Sequence, residues 1–349
     1  MSNGTFPGPV RKRGLLSLDF QGRVVVVTGA GRGMGAAHAN ELARRGARVV
    51  VNDLGAEMDG HGHDAQPAEQ VATAIRDAGG EAVAHSGSVA SAQGCDDLIA
   101  MALAAYGRLD GVLHNAGNVS WLRVEDMTEQ ALDDVLDVHA GGAMHLTRAA
   151  WPHLRERGGR ILYITSGAAL YGTPTLGHYG IAKAGVVGLA RVVAAEGRDE
   201  GIAANALAVA ASTRMMDSVL APTPHLLEWF RTYMHPHLPS AAAVWLLHPD
   251  CPANGNVYEA YGPHVARVLI AETEGFTKLD MTAEDVRDHF EQIESRDELV
   301  IPDDVDEFNL RMFEFIVAAG AAPPQPDDVS DDGHDPMRFP RAASPLERR

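Results

Sequence analysis

Basic residues, cysteines and long apolar runs are all scarce in this chain. Only 29 Lys and Arg stand against 47 Asp and Glu, a formal charge of −18. That balance counts against nucleic acid and anionic membrane as partners, because both attract basic surfaces. The two cysteines, Cys95 and Cys251, allow at most one disulfide, and with 12 Met and no evident secretory leader they point to a reducing interior. No apolar run approaches the ~18 residues needed to cross a bilayer. The absences leave a soluble, cytoplasmic protein that works on small molecules. Core material is ample: 46% of the 349 residues are hydrophobic, enough for one large α/β domain with appendages or two small domains.

Residues 22–53, GRVVVVTGAGRGMGAAHANELARRGARVVVND, read as an apolar strand, a glycine-rich turn, an alanine-rich helix and a second apolar strand. This is a βαβ unit. Its glycines, Gly29, Gly31, Gly33 and Gly35, fit TGxxxGxG rather than GxGxxG. Glycines let the backbone pass close to a pyrophosphate, and the helix start that follows offers unpaired N–H groups to it. Arg32 and Met34 lie within the same loop. Asp53 ends the second strand, where a carboxylate accepts from both ribose hydroxyls and repels a 2′-phosphate, favouring NAD over NADP. Arg32 partly offsets that exclusion, and the blander reading of Asp53 is the start of a turn in NDLG.

Residues 54–66 form a polar, glycine-rich connection. His61, His63 and Asp64 suggest a metal, but no matching ligand set stands nearby in sequence, so we read a surface loop without metal. Helical and strand patterns then alternate through PAEQVATAIRDAGG, EAVAHSGSV, CDDLIAMALAAYGRLD and GVLHNAG. This predicts a parallel, doubly wound sheet with helices on both faces. The next helix, residues 129–157, carries His139, with Gly141 and Gly142 close behind it. Glycines inside a helix cost roughly 1 kcal/mol each and imply tight packing, a bend or a close ligand. His139 is either a site residue or a hydrogen-bonded core histidine.

The stretch SGAALYGTPTLGHYGIAK, Ser166–Lys183, carries the chemistry. Ser166 follows the apolar run Ile161–Ile164, the end of a buried strand. Tyr179 and Lys183 are four residues apart and share one face of a predicted helix. A phenol titrates near pH ~10 in water, and an adjacent ammonium favours the phenolate. A neighbouring hydroxyl orients a carbonyl or alcohol oxygen, so the three suit proton transfer on an alcohol oxygen. Taken alone, the pair also fits an amphipathic helix with its tyrosine in the core and its lysine in solvent.

TGAGRGMG, HNAG, Ser166 and YGIAK, in that order and spacing, resemble the short-chain dehydrogenase/reductase superfamily over about residues 20–262. The resemblance implies a Rossmann-type sheet and Tyr179 as general acid/base. It implies that Lys183 holds the nicotinamide ribose and lowers the tyrosine pKa, and that Ser166 orients the substrate oxygen. It also places Asn115, Ala116 and Gly117 on the adenosine side, Ser88 and Val89 beside the adenine, and Thr213 at the cofactor carboxamide or phosphates. VVVNDLG, DVHAGGAMHLTRAAW, NALAVAASTRM and AAVWLLHPDCPANGNVYE look more closely like the (3R)-hydroxyacyl-CoA dehydrogenase domain of peroxisomal multifunctional enzymes of type 2 and related 17β-hydroxysteroid dehydrogenase-like proteins. That group shares histidine at position 139, where most of the superfamily has an asparagine that helps relay protons.

Two residues depart from the pattern. Gly87 stands where an acid usually touches the adenine, and Val209 where a proline usually shapes the loop over the nicotinamide. The segment after residue 262 is also rich in acids, which a CoA thioester disfavours. Residues 205–239 supply either an apolar substrate wall or ordinary helix core. HVARVLIAETEG and residues 282–319 have helical periodicity, with Thr282 and Asp285 marking a helix start.

The expected organisation is an N-terminal arm (1–19), the Rossmann domain (20–262), a helical extension (263–320) and an extended or flexible tail (321–349). The expected activity is NAD-dependent interconversion of a secondary alcohol and a ketone, with a 3-hydroxyacyl-CoA-type substrate. The alternatives are a steroid or other bulky apolar alcohol, and a non-catalytic dinucleotide-binding scaffold. A homodimer or homotetramer through the Tyr179 helix and its neighbour is expected from the family.

Overall fold

The computed structural model describes residues 18–322. The arm and tail expected at 1–19 and 321–349 therefore lie outside the described residues, apart from two positions at each inner end.

The chain alternates strand and helix from the start: β1 (Val24–Thr28), α1 (Gly33–Arg44), β2 (Arg48–Asn52), α2 (Gln66–Asp77), β3 (Glu81–His85), α3 (Ala92–Tyr106) and β4 (Gly111–His114). It continues through α4 (Glu129–Leu136), α5 (Gly142–Arg155), β5 (Arg160–Thr165), α6 (Gly167–Tyr171), α7 (Gly177–Glu196) and β6 (Ala203–Ala210). Then come α8 (Arg214–Leu220), α9 (Pro224–Tyr233), α10 (His237–Leu247), β7 (Val257–Tyr261) and β8 (His264–Val268). The sheet order is β3-β2-β1-β4-β5-β6-β7-β8, parallel throughout except for β8.

Alternation along the strands builds two cores. Val25 and Val27 of β1 face Leu42 of α1, Ile75 of α2 and Leu246 of α10. Val24 and Val26 face Leu98 of α3, Leu146 of α5 and Val186 of α7. A strand buried on both faces needs an unbroken apolar run, and VVVV supplies it. The chain runs outward from β1 to β3 and then returns to β4 on the other side of β1. This reversal opens a crevice at the carboxyl ends of β1 and β4, the place where open α/β sheets take ligands.

The structure differs from the sequence reading in three places. The helix expected over 129–157 is interrupted by one π turn, Asp137–Gly141, between α4 and α5. HVARVLIAETEG was expected to be helical, but its first half is β8, paired with β7 through the two-residue turn Gly262–Pro263. Gly262 has φ +51°, a conformation suited to a tight hairpin, and the unpaired edge of β7 captures the β-branched residues that follow. Leu299–Val300, inside the stretch 282–319 read as helical, is a two-residue strand instead. Val209, which stands where the family pattern has a proline, lies inside β6, paired with Ala260.

The chain parts into two compact units, one ending at Val268 and the other beginning at Leu269. In the second, β9 (Glu272–Thr273) pairs antiparallel with β10 (Leu299–Val300), and α11 (Ala283–Asp288), α12 (Phe290–Ile293) and α13 (Val305–Ala318) complete it. Thr282 and Asp285 form the capping box that starts α11. Among the described residues, no helix is long and apolar enough to cross a membrane.

Candidate active site

β5 delivers Ser166 to the crevice as its first residue beyond the strand, where its Oγ accepts from the Ala168 N–H at 3.2 Å and caps α6. α7 then lies against β5 and β6 through Ala182, Val186, Ala190 and Val193, spaced as one helical stripe. That docking fixes Tyr179 and Lys183 on the crevice side. The Ser166 hydroxyl acts on the Tyr179 phenol and favours its ionised form. Lys183 is 3% exposed; its Nζ donates to Ile164 O at 2.7 Å and sits 5.7 Å from the centre of the Tyr179 ring. The bland reading, with lysine in solvent, does not hold.

Burial dominates the titration of both groups. It pushes the Tyr179 phenol up to about 12, against the opposing hydrogen bond of Ser166, and pushes Lys183 down to about 7. The sequence reading expected a lowered phenol. Desolvation disfavours the charged form of each group and is the largest cause of both shifts.

His139 lies in the π turn, 1% exposed, with its ring edge-on to Tyr179 at 5.2 Å between centres. Its Nε2 is 2.9 Å from Asn118 O and 3.2 Å from Asn118 N, and Nδ1 is buried without a partner. Burial holds its pKa well below the ordinary value, so the ring is neutral. It is a hydrogen-bonded buried histidine that also forms the wall behind the phenol. Gly117 is its counterpart: a Cβ there would lie 2.2 Å from His139 Cε1. We therefore expect Gly117→Ala to cost about 1–3 kcal/mol of stability by overpacking. Urea denaturation of the full chain checks this, and an unchanged midpoint would contradict the close approach.

The glycine loop is held from both sides. Asn115 Nδ2 donates to Thr28 O at 3.1 Å and to Gly29 O at 3.0 Å, while the N–H groups of Asn115 and Ala116 both donate to Thr28 Oγ1. Gly35 allows the turn to close, since a Cβ there would lie 2.1 Å from Gly29 O. On the other side, Asp53 Oδ2 accepts from the Gly31 N–H and Oδ1 from the Gly55 N–H, each at 2.7 Å. Asp53 is thus more than a turn residue, because it anchors the loop with both oxygens. Arg32 is the N-cap of α1 and gives it no side-chain cap, so the first turn, with Gly33 and Met34, keeps N–H groups for an anion. Thr213 caps α8, with its Cγ2 3.6 Å from where a Gly33 Cβ would stand. Ser88 Oγ accepts from the Ala90 N–H, and Val89 is buried between α3 and α5. The uncapped helix start, the glycines and the anchored carboxylate together fit a dinucleotide.

Several participants escaped the sequence reading. His114, directly before Asn115, bridges Thr28 Oγ1 at 3.2 Å and His139 O at 3.1 Å. Since Thr28 Oγ1 already accepts two N–H groups, its own proton goes to His114 Nδ1, and His114 Nε2–H holds the π turn. His178 meets Ser120 Oγ at 2.8 Å. The loop at 54–65 lies on the site rather than away from it: Val119 N–H donates to Met58 O, and Asn118 Nδ2 to Asp59 O. In that loop His63 Nε2 is 3.1 Å from Ser86 O and Asp64 accepts from the Gln66 N–H. A cavity of about 690 Å³ lined by Asp19, Arg44 and Glu81 lies at the amino ends of β2 and β3, opposite this chemistry, and plays no part in it.

A serine, tyrosine and buried lysine at the carboxyl end of β5, beside a dinucleotide-binding glycine loop, define an oxidoreductase of alcohol groups. A family profile described as short chain dehydrogenase matches residues 23–222, and the chain belongs to that family, whose cofactor is a nicotinamide dinucleotide. It is 42% identical over 256 residues to a putative short-chain type dehydrogenase/reductase of Mycobacterium tuberculosis, covering 73% of this chain and 87% of that protein. It is 38% identical over 283 residues to peroxisomal multifunctional enzyme A of Dictyostelium discoideum, covering 81% of this chain and 62% of that protein. The structure of full-length peroxisomal multifunctional enzyme type 2 from Drosophila melanogaster superposes with a TM-score of 0.70 at 28% identity, over 86% of this chain and 50% of that one. The chain thus spans only part of these multifunctional relatives.

Proposed function

We propose that the protein oxidises a secondary alcohol to a ketone with NAD, reversibly, and that its substrate is of the 3-hydroxyacyl-CoA type. The observation that carries this reading is the convergence of Ser166, Tyr179 and Lys183 on one point of the crevice. NAD is favoured over NADP because Asp53 presents a carboxylate, pinned by two backbone N–H groups, where a 2′-phosphate would have to sit. The loop Gly29–Gly35, Asp53, Ser88, Val89, Asn115, Ala116, Gly117 and Thr213 would hold the cofactor. When bound, its nicotinamide supplies the hydride acceptor or donor. Tyr179 Oη takes the alcohol proton and returns it in the reverse direction, and Ser166 Oγ shares the substrate oxygen. Lys183 Nζ, fixed on Ile164 O, orients the nicotinamide ribose and sets the field at the phenol. His139 positions the ring.

The charge of −18 favours a second reading, a steroid or other bulky apolar alcohol without CoA, since CoA phosphates prefer a basic mouth. NADH formation with a panel of 3-hydroxyacyl-CoAs, hydroxysteroids and simple secondary alcohols decides between them. Turnover with free alcohols alone would reject CoA. The buried, unpaired thiols of Cys95 and Cys251 support a reducing, cytoplasmic-type compartment. Ile181 and Val192 on α7 and Met144 on α5 are more than half exposed, which supports a homodimer or homotetramer through these helices.

The titration predicts different pH profiles for the two directions. With the phenol raised to about 12, the phenolate needed for oxidation is scarce at neutrality, so oxidation should rise steadily with pH from 7 to beyond 9. Ketone reduction needs the protonated phenol and should stay level over that range. Initial rates in both directions check this, and a level oxidation profile would contradict it.

A further inference from the structure

Gly87 has no side chain to offer a ligand, and the Ser88 hydroxyl already accepts from the Ala90 N–H. The space a Gly87 side chain would fill belongs to the His85 ring, since a Cβ on Gly87 would lie 2.5 Å from His85 Cε1 and 3.1 Å from Nε2. We propose that His85 receives the adenine base of the dinucleotide, donating from Nε2–H to a ring nitrogen of the base, in place of a carboxylate at position 87.

This rests on the dinucleotide reading of the same cleft. The sheet order places β3 outside β2, and β2 outside β1. A dinucleotide whose pyrophosphate sits at the start of α1 and whose adenosine ribose sits at Asp53 therefore carries its base outward, over the end of β3. His85 is the last residue of β3, and its carbonyl accepts from the Asp53 N–H at 3.0 Å. The ring's tautomer follows from its neighbours. Nδ1 is 3.0 Å from Asn52 Nδ2 and 3.3 Å from the Gly87 N–H, two donors, so Nδ1 is the acceptor and the proton is on Nε2. The Asn52 amide is itself fixed, donating to Gly87 O at 2.8 Å and 2% exposed, so the imidazole is held in one orientation. Among the described residues Nε2 has no hydrogen-bond partner, and the ring is only half-buried. A fixed N–H donor on a half-buried ring complements the acceptor nitrogens of a purine rather than its exocyclic amine.

The test is calorimetric titration of the full chain and its His85→Ala variant with NADH and with reduced nicotinamide mononucleotide, which lacks the adenosine. We expect the variant to bind NADH about 3- to 10-fold more weakly, the worth of one net hydrogen bond, and to bind the mononucleotide as the parent does. Equal NADH affinity in the two proteins would overturn the proposal, as would an equal loss for both ligands. A parent protein that fails to bind NADH at all would instead overturn the dinucleotide reading. A measurement on the parent alone guards against misfolding of the variant. Adding ADP-ribose should shift the His85 Nε2–H resonance in a ¹H–¹⁵N spectrum, and an unmoved resonance would also overturn the assignment.

Discussion

Tyr179→Phe is expected to lower turnover by ~10²–10⁴-fold, the span that a positioned general acid or base contributes, while NADH binding stays within about twofold. The substitution removes one oxygen and leaves the ring, so the edge-on contact with His139 and the packing of α7 survive. What it removes is the hydroxyl beside Ser166, on a ring whose centre is 5.7 Å from Lys183 Nζ. The loss should fall on kcat in both directions, because the same oxygen takes the proton in one and gives it in the other. Steady-state kinetics with fluorescence titration of NADH measures the two quantities separately. Retained turnover would remove Tyr179 from its proposed role, and a parallel loss of NADH binding would make it a structural residue.

Asp53→Asn should be the second most damaging change, but on binding rather than chemistry. Each carboxylate oxygen accepts a backbone N–H at 2.7 Å, one from Gly31 and one from Gly55. An amide supplies one acceptor and one donor, so one of those N–H groups must face an N–H₂. The same carboxylate would accept from the ribose hydroxyls, and losing one charged hydrogen bond of about 1.5–3 kcal/mol there corresponds to roughly 10- to 100-fold in affinity for NAD. The loss should be smaller for NADP, whose 2′-phosphate no longer meets a negative charge, so the preference between the two narrows. Titration with both cofactors reads this directly. An unchanged NAD-to-NADP ratio would leave Asp53 as a loop anchor with no part in selecting the cofactor.

The parts of the site that lie close together in sequence were legible before the structure. TGAGRGMG between two valine runs specifies its own turn, and Tyr179 and Lys183 need only a helix to meet. The exceptions are instructive. His114 was read only as part of the strand pattern GVLHNAG, because its partners, Thr28 and the π turn, are distant in sequence and a lone histidine carries no period. His85 was passed over for a similar reason: only the missing side chain at Gly87 makes room for its ring, and that space appears when the backbone is folded. The segment at 264–268 was misread because VARV suits helix or strand, and the open edge of β7 decided it. The titration of Tyr179 went the other way from the sequence expectation, because charge pairing can be counted in a sequence and desolvation cannot.

The Thr28 hydroxyl sets a constraint on how the protein folds. It accepts from Asn115 and Ala116 and gives its proton to His114, all some 86 residues further along the chain. None of these bonds can form until the chain between them has closed as one long loop and β4 has paired beside β1. Long loops must close before these contacts contribute, so contacts of such separation are slow to form. The crevice should therefore mature late in refolding, after the bulk of the helical signal has returned. Stopped-flow refolding would then show circular dichroism recovering ahead of the capacity to bind NADH.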